Sequence, residues 1–248
     1  MPDTCTEELF NIKPKAKKRN RLPENPEAKN DGQKSTMGRF PSWLHRRLPK
    51  GGQLHKTGKL LDENSLHTVC EEAKCPNRLE CYSKKTATFL VMGKACTRSC
   101  GFCEIDFAKA PPPLDSDEPQ RVARSVAQLD LKHVVITMVA RDDLSDGGAS
   151  HLVEILHAIR KVRPQATVEF LTSDFQGNTE ALSKLLKEKP DVFNHNVETV
   201  RSLTPKVRHK ATYERSLSML KFAKERFPHI QVKSGLDRKS TRLNSSHQ

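Results

Sequence analysis

The chain has 248 residues, a formal net charge of +13, seven cysteines and a mean hydropathy of −0.67. That length carries one large domain with a real core, and no run approaches the ~20 apolar residues that span a bilayer. Charge is uneven: residues 1–50 hold 12 Lys/Arg against 6 Asp/Glu, whereas 51–236 hold 28 against 23. The basic arm "KPKAKKRNR" (13–21) lacks the interleaved aromatics that stack bases, so nucleic acid is not expected as a partner. The start, "MPDTCTEELF", has no basic-then-apolar order and carries early acids, so neither a signal nor a transit peptide is expected, and the location expected is cytoplasmic.

In chain order, residues 1–38 read as a disordered basic arm, rich in Lys, Asn, Pro and Glu. Residues 39–85 read as a strap around Trp43 followed by a segment dense in cysteine, whose shape would come from what the cysteines bind. From 86 to 236 apolar runs alternate with helical patterns. Strands are predicted at 87–92, 133–139, 167–171, 191–196 and 230–234.

The first helix is predicted from Asp117, with Pro119 in its first turn and Val122, Val126 and Leu129 on one face. A second, about 148–163, places Leu152, Ile155, Leu156, Ile159 and Val162 at helical spacing. The third, about 178–188, buries Leu182, Leu185 and Leu186, and the fourth, about 212–226, buries Leu217, Leu220 and Ala223. Such alternation means βα units and a parallel sheet, either open or an incomplete β/α barrel. Residues 237–248, "DRKSTRLNSSHQ", break the rhythm and read as a tail foreign to the fold, as from a truncated or mis-joined reading frame.

Six of the seven cysteines fall between 70 and 103, and in a chain expected in the cytosol such clustering favours a metal or redox site over disulfides. Cys96, Cys100 and Cys103 are spaced C-x3-C-x2-C directly after the first predicted strand, in a loop at the carboxyl end of the sheet, where sites in such folds are built. Lys94 and Arg98 make that loop basic, which favours thiolates. A [4Fe–4S] cube normally takes four thiolates, so three leave one iron open for a ligand. Cys70, Cys75 and Cys81 form a second trio, C-x4-C-x5-C.

The first spacing, with Phe102 before the last cysteine, resembles the signature of radical S-adenosylmethionine (SAM) enzymes. Beside it, the second trio resembles the auxiliary-cluster motif of the lipoyl synthase family. So do "PSWLHRRLP" (41–49), "TRSCGFCEI" (97–105), "RDDLSDGGASH" (141–151), "DFQGN" (174–178), "NHNVETV" (194–200), "VRHKATYERSL" (207–217) and "VKSGL" (232–236). The resemblance covers roughly 39–236.

It implies an incomplete TIM-type barrel with an N-terminal cysteine-rich extension, two [4Fe–4S] clusters and S-adenosyl-L-methionine. The cluster at Cys96, Cys100 and Cys103 would generate the radical, and that at Cys70, Cys75 and Cys81 would give up sulfur to C6 and C8 of a protein-bound octanoyl group. The partners implied are octanoylated lipoyl-carrier domains (of 2-oxoacid dehydrogenases and the glycine cleavage H protein), a low-potential electron donor and iron–sulfur delivery proteins. Another two-cluster sulfur-inserting radical enzyme, of the methylthiotransferase kind, and an iron–sulfur electron carrier stand as alternatives.

Secondary candidates for the cofactor are Phe102, Arg141, Glu169 and Asn194; a turn salt bridge for Arg141, a buried ion pair for Glu169 and a helix cap for Asn194 are the plainer readings. His151, at a helix start, is expected in solvent. The family's serine motif, which supplies the fourth ligand of the auxiliary cluster, has no match here, since "NSSH" (244–247) differs in its flanks. Met138, Ala140, Thr172 and Ser173 depart from the family pattern, and Tyr82 stands where Trp is usual. Poor stability and weak or no turnover are therefore expected of the 248-residue chain.

Overall fold

The computed structural model describes residues 67–68, 78–103 and 105–236. The predicted arm (1–38) and tail (237–248), the strap around Trp43, and Cys70 and Cys75 lie outside the described residues. Within them the chain runs β1 (His67–Thr68), α1 (Arg78–Ser83), β2 (Thr86–Val91), β3 (Ala95–Cys96), β4 (Asp106–Phe107), α2 (Glu118–Gln128), β5 (His133–Met138) and α3 (Ala149–Val162). It continues through β6 (Thr167–Leu171), a 3₁₀ turn (Phe175–Gly177), α4 (Thr179–Lys187), β7 (Val192–Asn194), α5 (Thr204–Val207), α6 (Tyr213–Arg226) and β8 (Gln231–Lys233).

The main sheet has the order β1-β2-β5-β6-β7-β8. β1 is antiparallel to β2, and every other neighbour is parallel. The five predicted strands all form, and the helices between them are the crossovers that parallel neighbours require. Phe89, Ile136, Phe170 and Phe193 are almost wholly buried on one face of the sheet, together with Leu152, Ile155, Leu156 and Ile159 of α3 and Leu182, Leu185 and Leu186 of α4. Register places the other face in rows. Leu90, Thr137, Leu171, Asn194 and Lys233 are side by side, and Val135 pairs with Glu169 one step nearer the amino ends.

Three helix-face expectations change. Val162, at the last turn of α3, is 41% exposed. In α6 the buried residues are Ser216, Met219 and Ala223, while Leu217 is 41% exposed. A polar anchor turns that helix: Ser216 Oγ meets His195 Nε2 at 3.0 Å and accepts from Arg208 Nη1 at 2.7 Å. His151 is buried, not solvated, with Nε2 at 2.7 Å from Glu118 Oε2. Glu118 in turn accepts the Met92 N–H at 2.9 Å. This pair ties the starts of α2 and α3 to the turn after β2, and each group satisfies the polar demand of the other.

Candidate active site

Cys96 ends β3, whose partner β4 pairs Cys96 with Phe107, so a two-residue ribbon closes off the segment that carries Cys100 and Cys103. Cys103 N–H donates to Cys100 O at 3.1 Å, folding the two remaining cysteines into one turn. The loop tip is fixed from outside: Gly101 N–H donates to Val207 O at 2.9 Å and Ser99 N–H to His209 Nδ1 at 3.0 Å.

Its base is zipped to the end of β5. Thr97 N–H and Oγ1 each reach Ala140 O at 3.0 Å, and Asp142 N–H donates to Thr97 Oγ1 at 3.0 Å. The Cys96 sulfur accepts two backbone N–H groups, from Arg98 and Ala140, each at 3.3 Å.

The three thiols and Phe102 share the wall of a cavity of about 210 Å³. Thr137 and Leu171, from the inner row of the sheet, contribute to the same wall, as do Asn196, Glu198 and Arg208. A larger cavity, about 350 Å³, lies between Met92–Ala95 and the start of α2. None of the three thiols lines it. Among the described residues no three His, Cys, Asp or Glu side chains converge closely enough to share a single metal ion.

Burial pushes the Cys100 thiol up, opposed by a hydrogen bond from the His209 backbone and by the nearby Arg208 charge. Arg98, expected to favour thiolates, instead spends its charge on carboxylates: Nε and Nη2 fork onto Asp142 at 2.9 and 2.7 Å, and Nη2 also reaches Asp174 at 2.7 Å. Arg208 is thus the cationic side chain that the sequence reading missed. His195 is buried, and that burial lowers its proton affinity. Thr172 O can only accept, so His195 Nδ1 donates to it at 2.9 Å and Nε2 accepts from Ser216.

The secondary candidates divide. Phe102 is at the cavity. Arg141 is 2% exposed and makes the turn ion pair, Nε and Nη2 meeting Asp143 at 2.9 and 2.8 Å, yet its Nη1 is buried with no partner. Glu169 accepts from Asn194 Nδ2 at 2.7 Å and Lys233 Nζ at 2.9 Å, with His133 Nε2 at 3.5 Å. Burial alone would raise its carboxyl, but these donors outweigh it and hold the pKa at about 2. Asn194 keeps a buried Oδ1 without a partner.

The radical SAM superfamily model matches residues 90–236, and the model for the N-terminal domain of lipoyl synthase matches 8–75. Lipoyl synthase of Protochlamydia amoebophila is 66% identical over 225 residues, covering 90% of this chain and 69% of the relative. That of Chlamydia abortus is 55% identical over 212 residues, covering 84% and 68%. A crystal structure of methylornithine synthase aligns with 82% of this chain and 61% of its own, at a TM-score of 0.46 and 14% identity. The chain belongs to the lipoyl synthase family of the radical SAM superfamily.

Membership makes the chain a sulfurtransferase enzyme with a partial β/α barrel, and implies a [4Fe–4S] cluster and S-adenosylmethionine. The residues fit such a group: the thiols are unpaired with one another and face one cavity. Arg141 Nη1 and Asn194 Oδ1 are a buried donor and a buried acceptor without partners, but neither residue lines that cavity. Besides Arg208, the sequence reading missed Asp174 and Glu198. "DFQGN", "NHNVETV" and "VRHKATYERSL" hold all three, but only tertiary contacts give them work. No helix among the described residues is long and apolar enough to cross a membrane.

Proposed function

We propose that this chain inserts two sulfur atoms, at C6 and C8, into an octanoyl group carried on a lipoyl domain. An alkyl C–H offers no acidity to a general base, so the reaction needs a radical. Cys96, Cys100 and Cys103 would hold a [4Fe–4S] cube with one iron left for S-adenosylmethionine, and together these supply the 5′-deoxyadenosyl radical. Cys70, Cys75 and Cys81 would hold the second cube, the sulfur source.

The chain's own groups shape the site. Phe102 adds an apolar wall to the cavity beside the thiols. Arg141 Nη1 and Asn194 Oδ1 are occluded and line no part of the cavity, so they would serve the cofactor as donor and acceptor only after their side chains turn; Glu169 holds Asn194 Nδ2 at 2.7 Å. The Arg208–Ser216–His195–Thr172 chain of hydrogen bonds keeps the far wall rigid and His195 neutral. The partners in this reading are octanoylated carrier domains of 2-oxoacid dehydrogenases and of glycine cleavage, a low-potential electron donor and iron–sulfur delivery proteins, all in the cytoplasm.

The observation that carries the reading is the set of three thiols, none in a disulfide, on one cavity wall, in the loop that follows β2. The test is anaerobic reconstitution with iron and sulfide, then reduction by dithionite with S-adenosylmethionine and an octanoylated carrier domain. Two cubes per chain and release of 5′-deoxyadenosine are expected, with lipoyl product at most in low yield because the family's serine motif has no match here, and with 5′-deoxyadenosine lost in Cys100→Ser. Zinc at these thiols, or reduction without 5′-deoxyadenosine, refutes it.

A further inference from the structure

Asp174 is fully buried, yet it is spent on neither core packing nor the cavity wall. Its Oδ1 accepts from Arg98 Nη2 at 2.7 Å and from Gln176 N–H at 3.1 Å, and its Oδ2 faces Arg215 Nη1 at 3.4 Å. One carboxylate thus joins the cysteine loop, the turn after β6 and helix α6. The turn it heads is strained: Phe175 and Gln176 take φ of +44° and +54°, a region that costs any residue other than glycine free energy. Such a conformation persists only where its surroundings dictate it.

Arg98 is 5% exposed at its side chain, and its guanidinium meets the carboxylates of both Asp142 and Asp174 at 2.7 Å. Two Arg and two Asp make the cluster neutral. The same Arg98 aims its backbone N–H at the Cys96 sulfur, and the neighbouring zip aims the Ala140 N–H there too. Hydrogen bonds to a cluster's sulfurs stabilise its more negative, reduced state and raise its potential.

We propose that Asp174 is a positioning residue for Cys96: acting through Arg98, it holds the two backbone donors that set the electron affinity of the cube. This rests on the reading of Cys96 as a cluster ligand. The electron enters from an external low-potential reductant, one per reduced cube.

The test compares the full chain with Asp174→Asn, which keeps size and an acceptor but removes the charge. In the metal-free chain, hydrogen exchange at the Arg98 and Ala140 amides should quicken about tenfold or more. After reconstitution, iron per chain should be retained. The midpoint potential of the cube whose paramagnetic resonance signal responds to S-adenosylmethionine should move more negative in a dithionite titration. Arg98→Lys, which keeps a charge but loses the planar fork, should shift both in the same sense and serves if Asp174→Asn fails to fold. Asp130→Asn, at an ion pair with Lys85 and Arg163 near the amino ends of the strands, should shift neither. Unchanged exchange at both amides overturns the clamp, whether or not a cube forms. Faster exchange with an unchanged potential overturns its role in tuning. Failure of the parent chain to build a cube refutes the proposed function instead, and the exchange result then decides the clamp alone.

Discussion

Neutralising Glu169 isolates one buried carboxylate whose contribution to stability depends on pH. Its pKa is held at about 2, against 4.5 for an ordinary glutamate. The folded value is depressed, so the stabilisation is fully present above pH ~4.5 and is lost as pH falls towards 2. Two and a half pH units at ~1.4 kcal/mol each set a ceiling of roughly 3.4 kcal/mol. Lys233 is 57% exposed and His133 31%, so solvent screens much of the attraction. About 1.5 kcal/mol is the expected share.

Glu169→Gln keeps an acceptor for Asn194 but cannot ionise. Urea unfolding followed by far-ultraviolet circular dichroism at pH 7, 5, 4 and 3 should show the variant about 1.5 kcal/mol less stable at pH 7, with the gap shrinking steadily below pH 4.5. Lys233→Met should remove much of the same pH-dependent gap. A deficit in Glu169→Gln of equal size at pH 3 and pH 7 refutes the argument, because it would mean that the carboxylate is not held ionised by its neighbours.

Two further substitutions test the scaffold. Asn178→Ala removes the side-chain oxygen that accepts from the Glu180 and Ala181 N–H groups, each at 3.0 Å, at the start of α4; a loss of about 1 kcal/mol is expected in urea unfolding. Leu156→Ala opens a hole between α3 and the sheet at a residue 1% exposed, and should cost about 3 kcal/mol by the same measurement, with the denaturant slope unchanged.

What the sequence shows plainly is what depends on neighbours in sequence. "TVEFL" and "HVVITM" are strands to within a residue because short apolar runs, rich in β-branched residues, admit little else once they alternate with helices. The cysteine loop was legible for the same reason, since its spacing is local. What escaped depends on partners far along the chain. His151 finds Glu118, 33 residues away, and so is buried. The face of α6 follows Ser216, whose partners His195 and Arg208 lie on other elements. Arg98 reads as a basic neighbour of thiols until Asp142 and Asp174, 44 and 76 residues on, claim its charge. The β3–β4 ribbon, two residues a side, has no pattern to detect.

If Cys96, Cys100 and Cys103 hold a cube as proposed, the polarity of β2 explains why it would keep an open position. A fourth thiolate would close a cube to any further ligand, and Cys81 is the other cysteine among the described residues. Cys81 sits on α1, which enters β2 at its amino end, whereas Cys96 follows the carboxyl end of the same strand. Six residues at about 3.3 Å each put roughly 20 Å of extended chain between the two ends. The pairing of β2 with β5 over all six residues prevents that strand from folding back to bring the ends together. Cys81 therefore cannot complete the set of Cys96, Cys100 and Cys103. In the proposed reading the fourth position of a cube at Cys96, Cys100 and Cys103 is therefore left to a small ligand and not to Cys81.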